Sequence, residues 1–277
     1  MKLPINRIQW LAPLLGLVLL LGASGCQNIQ QTPQNPQVVE MAKAGKAYFE
    51  EKCKTVAGEK IYRTVPDVDA LVLLKVRPAR GQIELEDPMW PGAAFASEGR
   101  EDQYIKNFLG YERAPSNGDS SKGAISKEHR GQVVPDKKTG DLPGYRYVDV
   151  IDAKDGQRYR VTQRSDEPWQ YDKTYLKGYI RYFLDKTATT APAPRYGVTF
   201  EDHVIPEERA IGVASSTVKV LDLKTNEVLA KLTRYAYRPR GLRLTEWLTS
   251  AECPAYPVDS SSSSRKFVDQ VLIPKGE

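Results

Sequence analysis

The chain has 277 residues, 27% of them charged, with a formal net charge of +5 at pH 7 and only 2 histidines. From about residue 37 onward it is long enough for one domain with a sizeable core, or at most two small ones. Basic and acidic residues are interspersed, and no lysine–arginine track interleaved with aromatics offers a path for phosphates, so nucleic acid is excluded as a partner.

The N-terminus carries the sharpest signal. Lys2 and Arg7 precede a stretch from Ile8 to Gly25 without a charged residue, rich in Leu between Leu11 and Leu21. A charged tip followed by an apolar run is the layout of an export signal. The run is shorter than the roughly 20 residues a comfortable spanning helix needs, and Pro13 and Gly16 would weaken a permanent one. The alternative is a short transmembrane anchor that is never cut. Leu21-Gly22-Ala23-Ser24-Gly25-Cys26 resembles the lipobox of bacterial lipoproteins, with Ala23 standing where Leu is usual. The resemblance implies cleavage after Gly25, so that residues 1–25 are a signal peptide. It further implies acylation of Cys26 and membrane lipid as a partner. Gln27 as second mature residue then implies the outer membrane of a bacterial cell envelope. Residues 26–37, polar and uncharged with Pro33 and Pro36, read as a flexible tether, and 38–277 as a single globular domain.

With Cys26 assigned to lipid, Cys53 and Cys253 remain, and an exported chain invites their pairing. Such a bond would tie the start of the domain to its end. Two separately buried thiols are the alternative.

Elements follow in chain order. Val38, Met41, Ala42, Gly45, Tyr48 and Phe49 fall at helical spacing, predicting a helix over Gln37–Thr55. Lys60–Thr64 and Ala70–Val76 read as strands, the second apolar throughout and therefore central, covered on both faces. Residues 78–100 read as an ordered loop in which Trp90 either folds back as a plug or forms the lip of a cleft. Glu101–Leu109 reads as a short helix, and 113–144 as polar loops. Tyr145–Ile151 and Gln157–Thr162 flank Asp155-Gly156, a hairpin signal. Asp172–Asp185 reads as a helix: Asp172 offers an N-cap, and Tyr175, Leu176, Tyr179, Ile180, Phe183 and Leu184 recur four apart. Thr187–Pro194 is a Thr/Ala/Pro linker that fits a surface crossover or a divide between two domains equally well, and Tyr196–Phe200 follows it. Ile211–Leu223 and Glu227–Tyr237, around Lys224-Thr225-Asn226, form a second hairpin. Arg234, Arg238, Arg240 and Arg243 are the most basic stretch; they read as solvated charges at a strand's exit, with contact to anionic lipid heads or glycan as the alternative. Arg265–Ile273 is a helix or an edge strand. The sum is an α+β fold: a mostly antiparallel sheet built from hairpins, with a few helices packed on one face.

One dense constellation has chemical potential: Glu201, Asp202 and His203, ahead of Pro206, Glu207 and Glu208. On a strand, Glu201 and His203 point together and Asp202 points away. A carboxylate beside an imidazole can hold its tautomer in a hydrolytic site. No GxSxG elbow or HExxH motif accompanies it, and two histidines are too few for a metal site closed by imidazoles alone. The sequence implies no cofactor and no metal. It points to an anchored envelope lipoprotein with a structural or protein-binding role and an envelope protein as partner. An envelope hydrolase or metal-assisted enzyme using His203, Glu201 and Asp202 is the alternative.

Overall fold

Helix formation begins where the sequence supplies a cap. The Asn35 side chain accepts a hydrogen bond from the Gln37 amide at 3.0 Å, and Pro36, whose missing N–H costs nothing at a helix start, opens α1 (Pro36–Thr55). The computed structural model describes residues 35–109, 129–130, 143–239, 246–256 and 260–275. The signal peptide, Cys26, most of the tether, most of the 113–144 loops, Arg240 and Arg243 lie outside the described residues. No described helix is long and apolar enough to cross a membrane.

After α1 come β1 (Gly58–Ile61), β2 (Val65–Val68), β3 (Ala70–Leu73), α2 (Gln82–Glu86) and a 3-10 turn over Pro91–Phe95. Then follow α3 (Asp102–Leu109), β4 (Tyr147–Ile151), β5 (Arg158–Asp166), β6 (Arg181–Ala188) and β7 (Tyr196–His203). The chain closes with α4 (Pro206–Ala210), β8 (Val213–Asp222), β9 (Glu227–Tyr237), β10 (Ala251–Cys253), α5 (Ser263–Asp269) and β11 (Leu272–Pro274). The main sheet runs β1-β9-β8-β7-β3-β4-β5-β6, with β10 also on β9; β11 and β2 form a parallel pair of their own.

The α+β class and the mostly antiparallel sheet agree with the sequence reading. Strand β3 is buried along its whole length and pairs in parallel with β4 and β7, as its unbroken apolar run requires. Both hairpins form. Gly156 takes φ +68° in the β4–β5 connection, and Asn226 takes φ +57° between β8 and β9. Trp90 is buried and packs under Arg100, the plug rather than the lip. The C-terminal segment is both of its alternatives in turn, helix α5 and then strand β11.

The helix expected over Asp172–Asp185 is not there. Its second half is β6, paired with β5 in antiparallel register from Tyr159↔Ala188 to Asp166↔Arg181. Asp172 does cap, but it caps a turn, accepting from the Thr174 amide and hydroxyl. Gly178 at φ +82° then breaks the helical path. The reason is tertiary: β5 otherwise ends the sheet, and the backbone hydrogen bonds of a full strand outweigh a helical stripe that buries little.

Alternation divides the sheet into two unlike faces. Val198 and Phe200 of β7, Val218 and Val220 of β8, and Ala230 and Leu232 of β9 point into the main core, with Phe95, Phe108, Trp247 and Phe267. The residues between them point the opposite way. On that side α1 packs only on the β8–β9 end, where Phe49 meets Val213, Tyr235 and Tyr237. A Cβ on Gly45 of α1 would sit 2.0 Å from the Ile211 carbonyl oxygen, so only glycine allows this approach. Beyond α1 the second face is polar and open.

Candidate functional site

Strand β7 separates the predicted constellation as its alternation requires. Glu201 and His203 stand on the open face, and Asp202 turns toward the core. Glu201 is paired with Lys219 at 2.5 Å, which holds its carboxyl below the usual carboxylate range. His203 Nε2 lies 3.1 Å from the Thr217 hydroxyl, which lies 3.3 Å from the Thr233 hydroxyl. The result is a short hydroxyl–imidazole chain crossing three strands. Asp202 instead accepts from Ser216 at 2.6 Å and Arg77 at 3.3 Å. The carboxylate nearest in sequence therefore does not orient the imidazole. Among the described residues no cluster of three His, Cys, Asp or Glu side chains could hold a metal ion.

Two further features of the open face come from register. Lys60 of β1 lies directly opposite Lys231 of β9, which lies directly opposite Lys219 of β8. Thr233 and Thr217 form the next row toward α1. Farther across the sheet, Arg158 and Arg160 both reach the buried carboxylate of Asp149, and Arg160 stacks on Tyr147 at 3.9 Å.

Asp202 leads into a buried assembly that the sequence reading missed. The Arg77 guanidinium is fully buried between the rings of Phe200 and Phe95, at 4.1 and 4.3 Å. On the far side of Phe95 lies the buried Arg234, which in turn faces Tyr256 at 5.1 Å. A column of alternating rings and cations thus runs through the core. Glu98, almost wholly buried, accepts from the Ser264 amide at 3.1 Å and feels both Arg77 and Arg234. Burial outweighs those cations and pushes its carboxyl up to about 7. Glu252 is raised too by burial, against the pull of Arg234.

The expectation of solvated arginines fails here for Arg234. It stands on β9 between Leu232 and Ala236, on the face those residues bury, and alternation alone carried that signal. Arg238 leaves the sheet and donates to the carbonyls of Leu85 and Glu86. Arg77 had a weaker signal, since it follows the apolar β3 strand in a Pro-bounded segment.

Cys53, in the last turn of α1, and Cys253, on β10, are brought together with Cα atoms 5.7 Å apart. That spacing is what a disulfide needs. Both cysteines, like Tyr48, Ala57 and Ile211, pack against the border of the smaller core. Comparison with family models, characterised sequences and solved structures finds no match to this chain.

Proposed function

We propose that this chain is an exported lipoprotein, acylated at Cys26 and held at the outer membrane, whose folded unit binds another protein of the cell envelope. The attachment half rests on the lipobox-like Leu21–Cys26 segment and the polar spacer after it, and it is supported by the 5.7 Å Cα separation of Cys53 and Cys253, whose pairing would call for an oxidising compartment.

The binding half is carried by one observation, the edge strand β6. It has no strand partner on its outer side among the described residues, and Asp185–Ala188 are exposed together with Tyr182. An open edge presents unpaired backbone donors and acceptors, which an extended segment of another chain can complete. Rings and cations crowd its approach: Arg164 and Arg181 flank Phe183, and Tyr175 stacks on Tyr179.

Affinity capture by the acylated protein from its own envelope tests the reading. A partner retained by wild type and lost on Tyr182→Lys supports it. A Cys26→Ala protein that is still cut at Gly25 and equally membrane-bound overturns the attachment half. The alternative, a hydrolase centred on His203, draws on the Thr217 hydroxyl beside the imidazole. An activity lost on His203→Ala would select it.

A further inference from the structure

The open face holds an arrangement that like-charge repulsion makes unfavourable for the fold. Side chains directly opposite on neighbouring strands are close neighbours, and like charges so placed are destabilising. Yet Lys60, Lys231 and Lys219 form one unbroken row across β1, β9 and β8. Glu201 answers Lys219 at 2.5 Å. Among the described residues no carboxylate lies within ion-pair distance of Lys60 or Lys231. Three cations and one carboxylate leave a local charge of +2. Lys60 is exposed and the other two are half-buried, so the row is reached from solvent. Beside it stand the Thr217 and Thr233 hydroxyls, linked to His203 Nε2.

We propose that this row is a binding site for a phosphate group. A phosphate monoester carries a charge of roughly −1.5 to −2 at neutral pH and presents three strong acceptor oxygens. That charge matches what Glu201 leaves uncompensated, and the separate oxygens can be shared between neighbouring ammonium groups. Lysine meets phosphate as a mobile point charge, so three flexible stems rising from adjacent strands can adapt to one anion. The threonine hydroxyls supply neutral donors at the floor of the site. A single carboxylate, by contrast, already satisfies only one lysine of the row. The phosphate comes either free in solution or as the terminal phosphate of phosphatidic acid, and the site recognises the group they share. The site does not depend on acylation of Cys26.

The test uses the full chain in nonionic detergent micelles. Lysine acetylation by an amine-reactive ester is followed residue by residue with mass spectrometry, with inorganic phosphate in solution or with phosphatidic acid or phosphatidylcholine doped into the micelles. Phosphate should slow acetylation of Lys60 and Lys231 at least tenfold and saturably, leaving Lys154 on the β4–β5 turn unchanged. Protection by phosphatidic acid but not by inorganic phosphate assigns the lipid as the source; the converse assigns the free anion. By calorimetry, Lys60→Gln with Lys231→Gln should weaken phosphate binding at least tenfold, and Lys154→Gln should not. In the absence of phosphate, Lys231→Gln should raise the thermal midpoint, because it relieves the cross-strand repulsion. The proposal fails if neither phosphate source protects the row, if polyglutamate alone protects it, or if Lys154→Gln weakens binding as much. It fails equally if Lys231→Gln lowers the midpoint, since the lysine would then be a structural element.

Discussion

Glu98 offers the most direct test of the buried column, because its ionisation can be separated from everything else by one isosteric change. Burial raises its carboxyl from an ordinary 4.5 to about 7, with Arg77 and Arg234 pulling the other way. A carboxyl whose folded value exceeds its unfolded value favours the folded state most when protonated. Its stabilising contribution is complete below pH 4.5 and is lost as pH rises through 7. A rise of that size corresponds to about 3 kcal/mol between the two limits. Glu98→Gln keeps the shape and can still accept from the Ser264 amide, but it has no charge to bury. The variant and wild type should therefore be nearly equal in stability at pH 4.5. The variant should lead by up to about 3 kcal/mol at pH 8, or roughly 6–12 °C in thermal midpoint for a domain of this size. Urea unfolding of both proteins at pH 4.5, 6, 7 and 8 reads the difference, and titrations shared by the two cancel. Parallel stability–pH curves would refute the reasoning: Glu98 would then be ionised throughout, fully compensated by its two arginines.

Four other outcomes follow from the same packing. Phe95→Ala removes the ring between Arg77 and Arg234 and opens a cavity against the sheet, so urea unfolding should show a loss of about 3–5 kcal/mol. Gly45→Ala forces α1 away from the Ile211 carbonyl and should cost about 1–3 kcal/mol, with a smaller loss of helix signal than of thermal midpoint. If Cys53 and Cys253 pair as proposed, the intact mass of the mature protein falls by two hydrogens. With 200 residues between the partners, Cys53→Ser with Cys253→Ser then destabilises by up to about 5 kcal/mol. Asp222 is fully buried and held down to about 2, first by Arg195 and then by the Lys224 amide and Arg63. Its contribution is present above the ordinary carboxylate range and lost as pH falls toward 2, so Asp222→Asn should remove part of the acid unfolding transition.

Elements whose local chemistry and tertiary role agree were legible. The β4–β5 and β8–β9 hairpins carry turn residues suited to positive φ between alternating strands, and β3 carries the unbroken apolar run of a doubly covered strand. Asp172–Asp185 failed because its apolar residues fit two periods. Tyr182, Leu184 and Lys186 alternate with Phe183 and Asp185 as readily as the pairs recur every four. Only the open edge of β5 decides between them, and no local pattern contains that edge. The order β7-β3-β4 was likewise beyond reach, since it joins segments far apart in sequence through parallel pairs.

The sites divide along the same line. That Glu201 and His203 share a face while Asp202 opposes them follows from strand alternation, and the structure has this arrangement. The lysine row needed register: Lys60, Lys219 and Lys231 are unremarkable until β1, β9 and β8 align. The buried column needed the opposite inference, that charged side chains can stand at core positions. Arg77, Arg234 and Glu98 are tolerated there because ring faces, carboxylates and one amide replace water around them. Such a core is costly to break yet weakly stabilising in sum. A fold that carries charged groups inside one face of its sheet and unanswered lysines on the other gains most from a covalent tie, which is what the proposed Cys53–Cys253 bond would add.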